Sequence, residues 1–167
     1  MIPNMKTVSR MLLAATILFM SMPAFARPAI GIGPRVGLVL DDGSFSLGAE
    51  ARMAIVPISS SLRLDVRPSF DFYFVGSDAT LLGGAVDGLL AFNLNNPSVE
   101  PYFIAGLAVI YTNTEPPNEF SSTDVGINLG AGAKFVTQGK FQPFAEIRVS
   151  IYDQSFFAVA LGVLMQL

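Results

Sequence analysis

The chain has 167 residues, of which 51% are hydrophobic and only 14% are charged, and its formal net charge is −3. It contains no cysteine and no histidine, which excludes disulfides, thiolate metal sites and imidazole general bases. The charged fraction is low, because roughly a quarter of the residues of a soluble domain are Asp, Glu, Lys or Arg. The length predicts a single domain.

Residues 1–26 have the features of an export signal. Basic residues precede an apolar run at 11–22, and the sequence AFA at 24–26 gives the small-x-small pattern of a cleavage site. The apolar run is too short to span a bilayer, which needs about 20 residues. We therefore predict that 1–26 is a cleaved signal peptide and that 27–167 is the exported mature chain.

The mature chain divides into eight segments of alternating apolar and polar residues, separated by the Gly, Pro, Asn, Asp and Ser clusters typical of turns. They span 29–40, 44–56, 62–74, 81–93, 99–111, 123–136, 141–152 and 156–167. Only the connection at 112–122 is a loop of any length, and no connection is long enough for a crossover helix. Each neighbouring pair is therefore predicted to be an antiparallel hairpin. The predicted fold class is all-β, an eight-stranded antiparallel up-and-down barrel.

The stretch LRLDVRPSFDFYF at 62–74 places apolar side chains on one face of a strand and four charged side chains on the other. In a soluble sheet the apolar face would be buried, whereas in a membrane barrel the charges line the lumen. Positive and negative residues nearly balance on the polar face, and small residues occupy that face of strands five, six and eight. Aromatic residues on the apolar face gather near both rims, as in membrane barrels. We therefore predict a transmembrane barrel with its charges inside.

The inward charges are predicted to plug the lumen as an ion-pair network, because an unpaired charge in a confined lumen is costly. Closing the first hairpin at 41–44 sets Arg35 opposite Glu50, which is a favourable cross-strand pair. Closing the second at 57–60 sets Glu50 opposite Arg67 and Arg52 opposite Asp65, so that these last four residues form one connected network. Long arginines are expected to fill the space above the glycines. The predicted members are Arg35, Glu50, Arg52, Arg63, Asp65, Arg67, Asp71, Asp87, Glu146 and Arg148.

The even number of strands puts both chain ends on one side of the membrane, and in small bacterial barrels that side is the periplasm. The connections at 41–43, 75–80, 112–122 and 153–155 are then external. Their charges include no Lys or Arg and are Asp41, Asp42, Asp78, Glu115, Glu119 and Asp153. Turn chemistry explains most of them. The alternative hypothesis is an acidic outer rim that attracts divalent cations near lipopolysaccharide, or a cationic partner.

Two features resemble a known family. The segment PYFIAGL at 101–107 is similar to the Pro-Tyr-x-x-Ala-Gly start of a mid-barrel strand in small eight-stranded outer-membrane barrels, the OmpA/OmpX-like and opacity-type group. The alternating C-terminal strand that ends at the last residue is the second feature, although the family favours a terminal aromatic residue and this chain ends in Leu167. Related adhesins and receptors also carry longer outer loops.

The resemblance implies a location in the bacterial outer membrane, contact with its lipid and lipopolysaccharide, and insertion by the barrel-assembly machinery. Enzymes of this barrel size, such as lipid A acyltransferases and deacylases, look as if they depend on a catalytic His with Ser. This chain has no His, so no enzymatic activity is predicted.

Three functions remain open at this point. They are a non-enzymatic structural barrel of the envelope with a plugged lumen, a narrow ion-conducting pore, and an exported soluble barrel that binds a small apolar ligand as lipocalins do.

The glycine-rich stretches at 31–37 and 130–134 lack the spacing and the following helix of a nucleotide-binding loop. No cofactor, metal or nucleic-acid partner is therefore predicted, and the sequence identifies no extracellular partner.

Overall fold

The computed structural model describes residues 30–75, 79–94, 98–114, 120–153 and 155–167, so the predicted signal peptide lies outside the described residues. The eight strands are β1 (Ile30–Val39), β2 (Phe45–Ser59), β3 (Leu62–Phe74), β4 (Ala79–Phe92), β5 (Val99–Thr114), β6 (Phe120–Phe135), β7 (Phe141–Ile151) and β8 (Ser155–Gln166). Each pairs antiparallel with the next, and β8 pairs with β1 to close the barrel. The predicted fold class is confirmed. No helix in the described part of the chain is long and apolar enough to cross a membrane.

The strand boundaries agree with the predicted segments to within three residues, and the largest differences are extensions. In the β5–β6 hairpin the ladder continues to the pair Thr114 and Phe120. The predicted loop at 112–122 was therefore too long, and the connection is reduced to 115–119, which lies outside the described residues. Thr and Ser in this region carry short side chains that suit a strand beyond the apolar band.

The predicted register of the first hairpin was wrong by two residues. Arg35 lies opposite Gly48, and Glu50 lies opposite Gly33. The turn occupies 40–43 because Gly43 adopts a φ of 73°, a left-handed conformation that glycine accepts without steric cost. The Val39 amide donates to the Ser44 carbonyl at 2.8 Å, which fixes the turn one residue earlier than predicted.

The predicted register of the second hairpin was also wrong. Glu50 lies opposite Ser69, and Asp65 lies opposite Ala54. Two register shifts interrupt the β2–β3 ladder near its turn, one of them beside Pro57. Proline has no N–H to donate, so a strand that contains it pairs irregularly there.

The charged face of β3 lies inside the barrel, as predicted, and its apolar face lies outside. Asp65, Arg67 and Asp71 are buried, whereas Phe70 and Phe74 are 52% and 56% exposed. The same alternation holds around the barrel, so that its exterior is dominated by exposed aliphatic and aromatic side chains. An apolar surface of this extent is a surface for lipid or for another protein.

Candidate functional site in the barrel lumen

The two ends of the barrel differ, and we name them by their connections. The loop end carries the connections at 40–44, 75–78, 115–119 and 152–154, and the terminal end carries the turns at 60–61, 93–98 and 136–140 together with Leu167. Inward side chains lie in layers between these ends. These layers are a central network of charges, a layer of rings on each side of it, and a charged mouth at the terminal end.

The central network combines four arginines with four carboxylates, so that its formal charge is balanced. All eight residues are at most 7% exposed, and they are Arg35, Glu50, Arg52, Arg67, Asp71, Asp87, Glu146 and Arg148. Such a group is stable in a low-dielectric interior only if each charge has partners, because an unpaired buried charge is costly. All eight belong to the residues predicted from the sequence.

Ion pairs in the network join both neighbouring strands of a hairpin, as Arg67 and Asp87 do, and strands on opposite walls. Arg67 on β3 pairs with Glu146 on β7 and donates to Asp87 on β4 at 2.7 Å. Arg35 on β1 pairs with Asp71 and lies 3.3 Å from Glu50. The network therefore ties together strands on opposite walls of the barrel.

Neutral side chains that the sequence analysis did not select extend the network. Asn128 donates to Asp87 at 3.0 Å, and Ser150 donates to Asn128 at 2.8 Å. Ser69 accepts a hydrogen bond from Arg35 at 3.2 Å. Strand alternation could have identified two of them, since it places Asn128 on the lumen face of β6 and Ser150 on the lumen face of β7.

A ring layer covers the network on its terminal side. The guanidinium of Arg52 lies 4.6 Å from the ring centre of Tyr102 and 4.3 Å from that of Phe144. Arg52 donates to the Tyr102 hydroxyl at 3.0 Å, and that hydroxyl donates to Glu146 at 3.2 Å. Cation–π contact and hydrogen bonding hold this arginine in place. The layer is completed by the buried residues Leu89, Ile104 and Leu164.

A second ring layer lies on the loop side of the network. Phe156 stacks on Tyr152 with ring centres 5.6 Å apart and meets Tyr73 edge-on at 6.2 Å. Val39 and Ile110, which lie towards the loop end of β1 and β5, are also buried. The central network is thus enclosed between two layers rich in apolar and aromatic atoms, which exclude water from its charges.

Several glycines on the lumen face lie against aromatic rings, whereas the sequence led us to expect arginine side chains there. A Cβ at Gly132 would lie 2.6 Å from the Tyr102 ring, and one at Gly162 would lie 2.4 Å from the Phe144 ring. These distances are far below van der Waals contact, so the rings fit only because the glycines carry no side chain.

The mouth at the terminal end is a separate charged cluster. Arg63 pairs with Asp65 at 2.6 Å and with Glu100 at 2.9 Å, and Lys134 also pairs with Glu100 at 2.8 Å. These residues line a cavity of about 240 Å³. Asp65 therefore belongs with Arg63, and the expectation that it joins Arg52 in one network was wrong. The observed β2–β3 register sets Asp65 opposite Ala54 rather than Arg52, and Arg52 lines the same cavity without an ion pair to Asp65 among the described contacts.

The predicted acidic rim is described only in part. Asp41, Asp42 and Asp153 lie exposed at the loop end, whereas Asp78, Glu115 and Glu119 lie outside the described residues. Asp42 accepts a hydrogen bond from the Ser44 amide at 2.9 Å, and Asp41 accepts one from the Phe157 amide at 2.6 Å. Two of these carboxylates thus stabilise the turn and the β1–β8 contact. Within the described residues no group of acidic side chains is arranged to hold a metal ion.

No protein-family model matches the sequence, and no curated protein matches it. Several solved structures share its fold. The N-terminal β-barrel domain of Pseudomonas aeruginosa OprF superimposes with a TM-score of 0.69 at 16% identity, over 84% of this chain and 98% of that one. The attachment invasion locus protein Ail of Yersinia pestis, solved with the heparin analogue sucrose octasulfate, gives 0.61 at 19%, over 84% and 97%. The outer-membrane enzyme PagL gives 0.56 at 15%, over 83% and 100%. This chain therefore has the fold of the eight-stranded outer-membrane β-barrels.

Proposed function

We propose that this chain is an integral, non-enzymatic protein of the bacterial outer membrane that serves a structural role in the envelope with a closed lumen. One observation carries the proposal. The charge-balanced central network is buried between two ring layers, while the exterior is apolar. This inside-out distribution is that of a barrel whose outer surface faces lipid.

The proposed environment follows from the exterior. Leu107, Val125 and Ile147 are 65%, 69% and 63% exposed and lie on three different strands. Transfer of such side chains from water to hydrocarbon is favourable by about 1.5–3 kcal/mol each. The partners are then outer-membrane lipid and lipopolysaccharide, with the barrel-assembly machinery delivering the chain. Similarity to OprF, Ail and PagL supports this location.

The layered lumen argues against the two alternative functions. An ion would have to pass both ring layers and a dense set of paired charges, which disfavours a conducting pore. A lipocalin-like barrel needs an apolar interior cavity, whereas the cavity at the terminal mouth is lined by Arg63, Asp65, Glu100 and Lys134. The closed structural barrel therefore fits the geometry best.

The non-enzymatic part of the proposal is based on the side chains available. PagL shows that this fold can host an enzyme. Here the chain has no histidine and no cysteine, and the buried carboxylates of the central network are paired with arginines. A carboxylate held in ion pairs is a poor general base.

Three measurements test the proposal. Envelope fractions extracted with detergent should release the chain, salt or alkaline washes should not, and unheated samples should migrate differently on a gel from boiled ones. Planar-bilayer recordings of the purified protein should show no large steady conductance. Release by salt alone would contradict the membrane location, and a steady conductance would contradict the closed lumen and favour the pore.

A further inference from the structure

The cavity at the terminal mouth, which we call the mouth cavity, is a partly enclosed space of about 240 Å³. A water molecule takes up about 30 Å³ in the liquid, so this space has room for about eight waters or for one small organic molecule. Its walls combine the apolar Ala54, Val136 and Leu164 with the charged residues of the mouth. Apolar walls with a few convergent polar groups are the usual form of a small-molecule site.

Two arginines bring unused hydrogen-bond donors to the mouth cavity. Arg52 lines it and is only 6% exposed, and its described hydrogen bonds to the central network and the ring layer use Nε and Nη2. Arg63 also lines it and donates through Nε and Nη2 to Asp65 and through Nη2 to Glu100. A guanidinium carries N–H groups on all three of its nitrogens. Among the described hydrogen bonds the Nη1 group of each arginine has no acceptor, so it is available to a ligand.

Acceptors line the same space. Glu100 contacts Arg63 at 2.9 Å and Lys134 at 2.8 Å, and both contacts use its Oε1 atom. Its Oε2 atom has no described partner, although the side chain is only 14% exposed. Gln166 donates through its amide nitrogen to Gln142 at 3.0 Å, which leaves its own carbonyl oxygen as a second acceptor. The mouth cavity thus offers donors and acceptors on different residues.

The charges around the mouth cavity select the ligand. Arg63 and Lys134 balance Asp65 and Glu100, and the charge of Arg52 is already balanced inside the central network. A lone anion or a lone cation would add an unpaired charge to this partly enclosed space, which is costly. A zwitterion adds no net charge. Its carboxylate suits guanidinium donors, and its ammonium group suits a carboxylate acceptor.

We propose that the mouth cavity is a binding site for a small zwitterion of the α-amino acid class. The carboxylate of the ligand accepts from the Nη1 groups of Arg52 and Arg63, and its ammonium group donates to Oε2 of Glu100. Ala54 and Leu164 bound the remaining space, so the side chain of the ligand is small and apolar. This site goes beyond the structural role and depends neither on the closed lumen nor on the membrane location, because it involves the terminal mouth alone.

The probe for the test is L-alanine, and two related molecules each carry only one of its charges. Propionate lacks the ammonium group, and ethylamine lacks the carboxylate. The purified chain is used in detergent micelles, and NMR titration follows the backbone amides of Arg52, Arg63 and Glu100. L-alanine should give saturable shifts at these amides. Propionate and ethylamine should each bind at least about tenfold more weakly, which corresponds to the loss of one hydrogen bond between charged groups.

Two outcomes of this titration would overturn the proposal. Shifts that rise in proportion to the L-alanine concentration without saturation would show that the mouth cavity holds solvent only. Binding of propionate or ethylamine as tight as that of L-alanine would show a site for a simple ion.

A charge variant tests the role assigned to Glu100. Glu100→Gln removes the carboxylate that faces the ammonium group and leaves Arg63 and Lys134 in excess. L-alanine should then bind about tenfold more weakly and propionate about tenfold more tightly than they bind to the unchanged chain. Asp124→Asn removes the same charge from β6 near the loop end and should change neither affinity. An L-alanine affinity that Glu100→Gln leaves unchanged, or that both variants lower equally, would contradict the assignment.

A filling variant tests the place of the site without altering a charge. Ala54 lines the mouth cavity, so Ala54→Leu should take up the space of the ligand and lower the L-alanine affinity by at least about tenfold. Ala51→Leu is the matched control, because Ala51 pairs with the exposed Ile32 and lies on the outer face of β2. The gel mobility of unheated samples reports whether each variant folds. Full L-alanine binding by a folded Ala54→Leu chain would place the ligand elsewhere and overturn the proposal.

Discussion

Arg67 shows how much a single charge can matter in this lumen. Its side chain has no exposed surface, and it pairs with carboxylates on three strands, namely Glu50, Asp87 and Glu146. Guanidinium stays charged at any ordinary pH and offers donors in several directions, which suits it to a position with three acceptors. Loss of this side chain would leave carboxylates in a dry interior without their main counter-ion.

Substitution of Arg67 by alanine should destabilise the barrel strongly. Arg67→Ala should lower the free energy of unfolding by about 3–5 kcal/mol, because it leaves the buried Asp87 carboxylate without its ion pair and weakens the pairing of Glu50 and Glu146. The control is Arg63→Ala at the terminal mouth, where the arginine side chain is 32% exposed and the expected loss is about 0–1 kcal/mol. Urea unfolding in lipid vesicles, followed by tyrosine fluorescence, measures both. Equal losses would show that burial of Arg67 has no special role.

Tyr102 contributes through both its ring and its hydroxyl, and two variants separate them. Tyr102→Phe keeps the ring beside Arg52 but removes the hydroxyl that contacts Arg52 and Glu146, and should cost about 1.5–3 kcal/mol. Tyr102→Ala also removes the ring and leaves a cavity, so the cost should rise to about 3–5 kcal/mol. Unfolding measured as for Arg67 gives the comparison. Equal costs for the two variants would mean that the ring layer adds nothing.

At the scale of the strand, the β1–β8 contact is where the chain closes on itself. Its ladder is interrupted at Pro34, between the pairs Ile32 with Met165 and Arg35 with Gly162. Beyond the last ladder pair at the loop end, Leu40 donates to the Phe157 carbonyl at 2.8 Å, and Asp41 accepts from the Phe157 amide. The first turn therefore extends the closing contact past the end of β1.

Removal of the Asp41 side chain should loosen this end of the closing contact. Asp41→Ala should speed hydrogen exchange of the Phe157 amide by roughly tenfold, because a hydrogen bond to a charged acceptor is lost. Asp42→Ala is the matched control, since the described hydrogen bond of Asp42 comes from the nearby Ser44 amide within the turn. Exchange read by NMR in micelles should change at Phe157 in the first variant alone. An unchanged rate there would show that Asp41 is dispensable for closure.

Strand alternation was sufficient to predict the number, order and inner face of the strands, but it did not determine their registers. The first register depended on the left-handed conformation of Gly43, and the second depended on irregular pairing beside Pro57. Both are local features of the backbone, and counting residues across a turn cannot predict them. The ends of β5 and β6 were underestimated for a related reason, since their polar residues lack the apolar alternation that marks a strand.

At the scale of the whole molecule, the tilt of the strands decides which inward residues meet. Arg67 and Glu146 lie on β3 and β7, on opposite walls, and no hairpin relates them. Strand tilt and stagger bring them to one level of the lumen. The membership of the lumen could therefore be predicted from alternation, whereas its division into a central network, two ring layers and a separate mouth could not. That division depends on how far along the barrel axis each inward side chain lies.

Orientation in the membrane is the last property that the fold makes testable. Both chain ends of an even-stranded barrel lie on one side, and short turns of small bacterial barrels face the periplasm. We therefore expect the loop end outside the cell. The chain has no cysteine, so Asp153→Cys at the loop end and Gln138→Cys at the terminal end each supply a single exposed thiol. A membrane-impermeant maleimide should label position 153 in intact cells and position 138 only after permeabilisation. The reverse pattern would show that the loop end faces the periplasm.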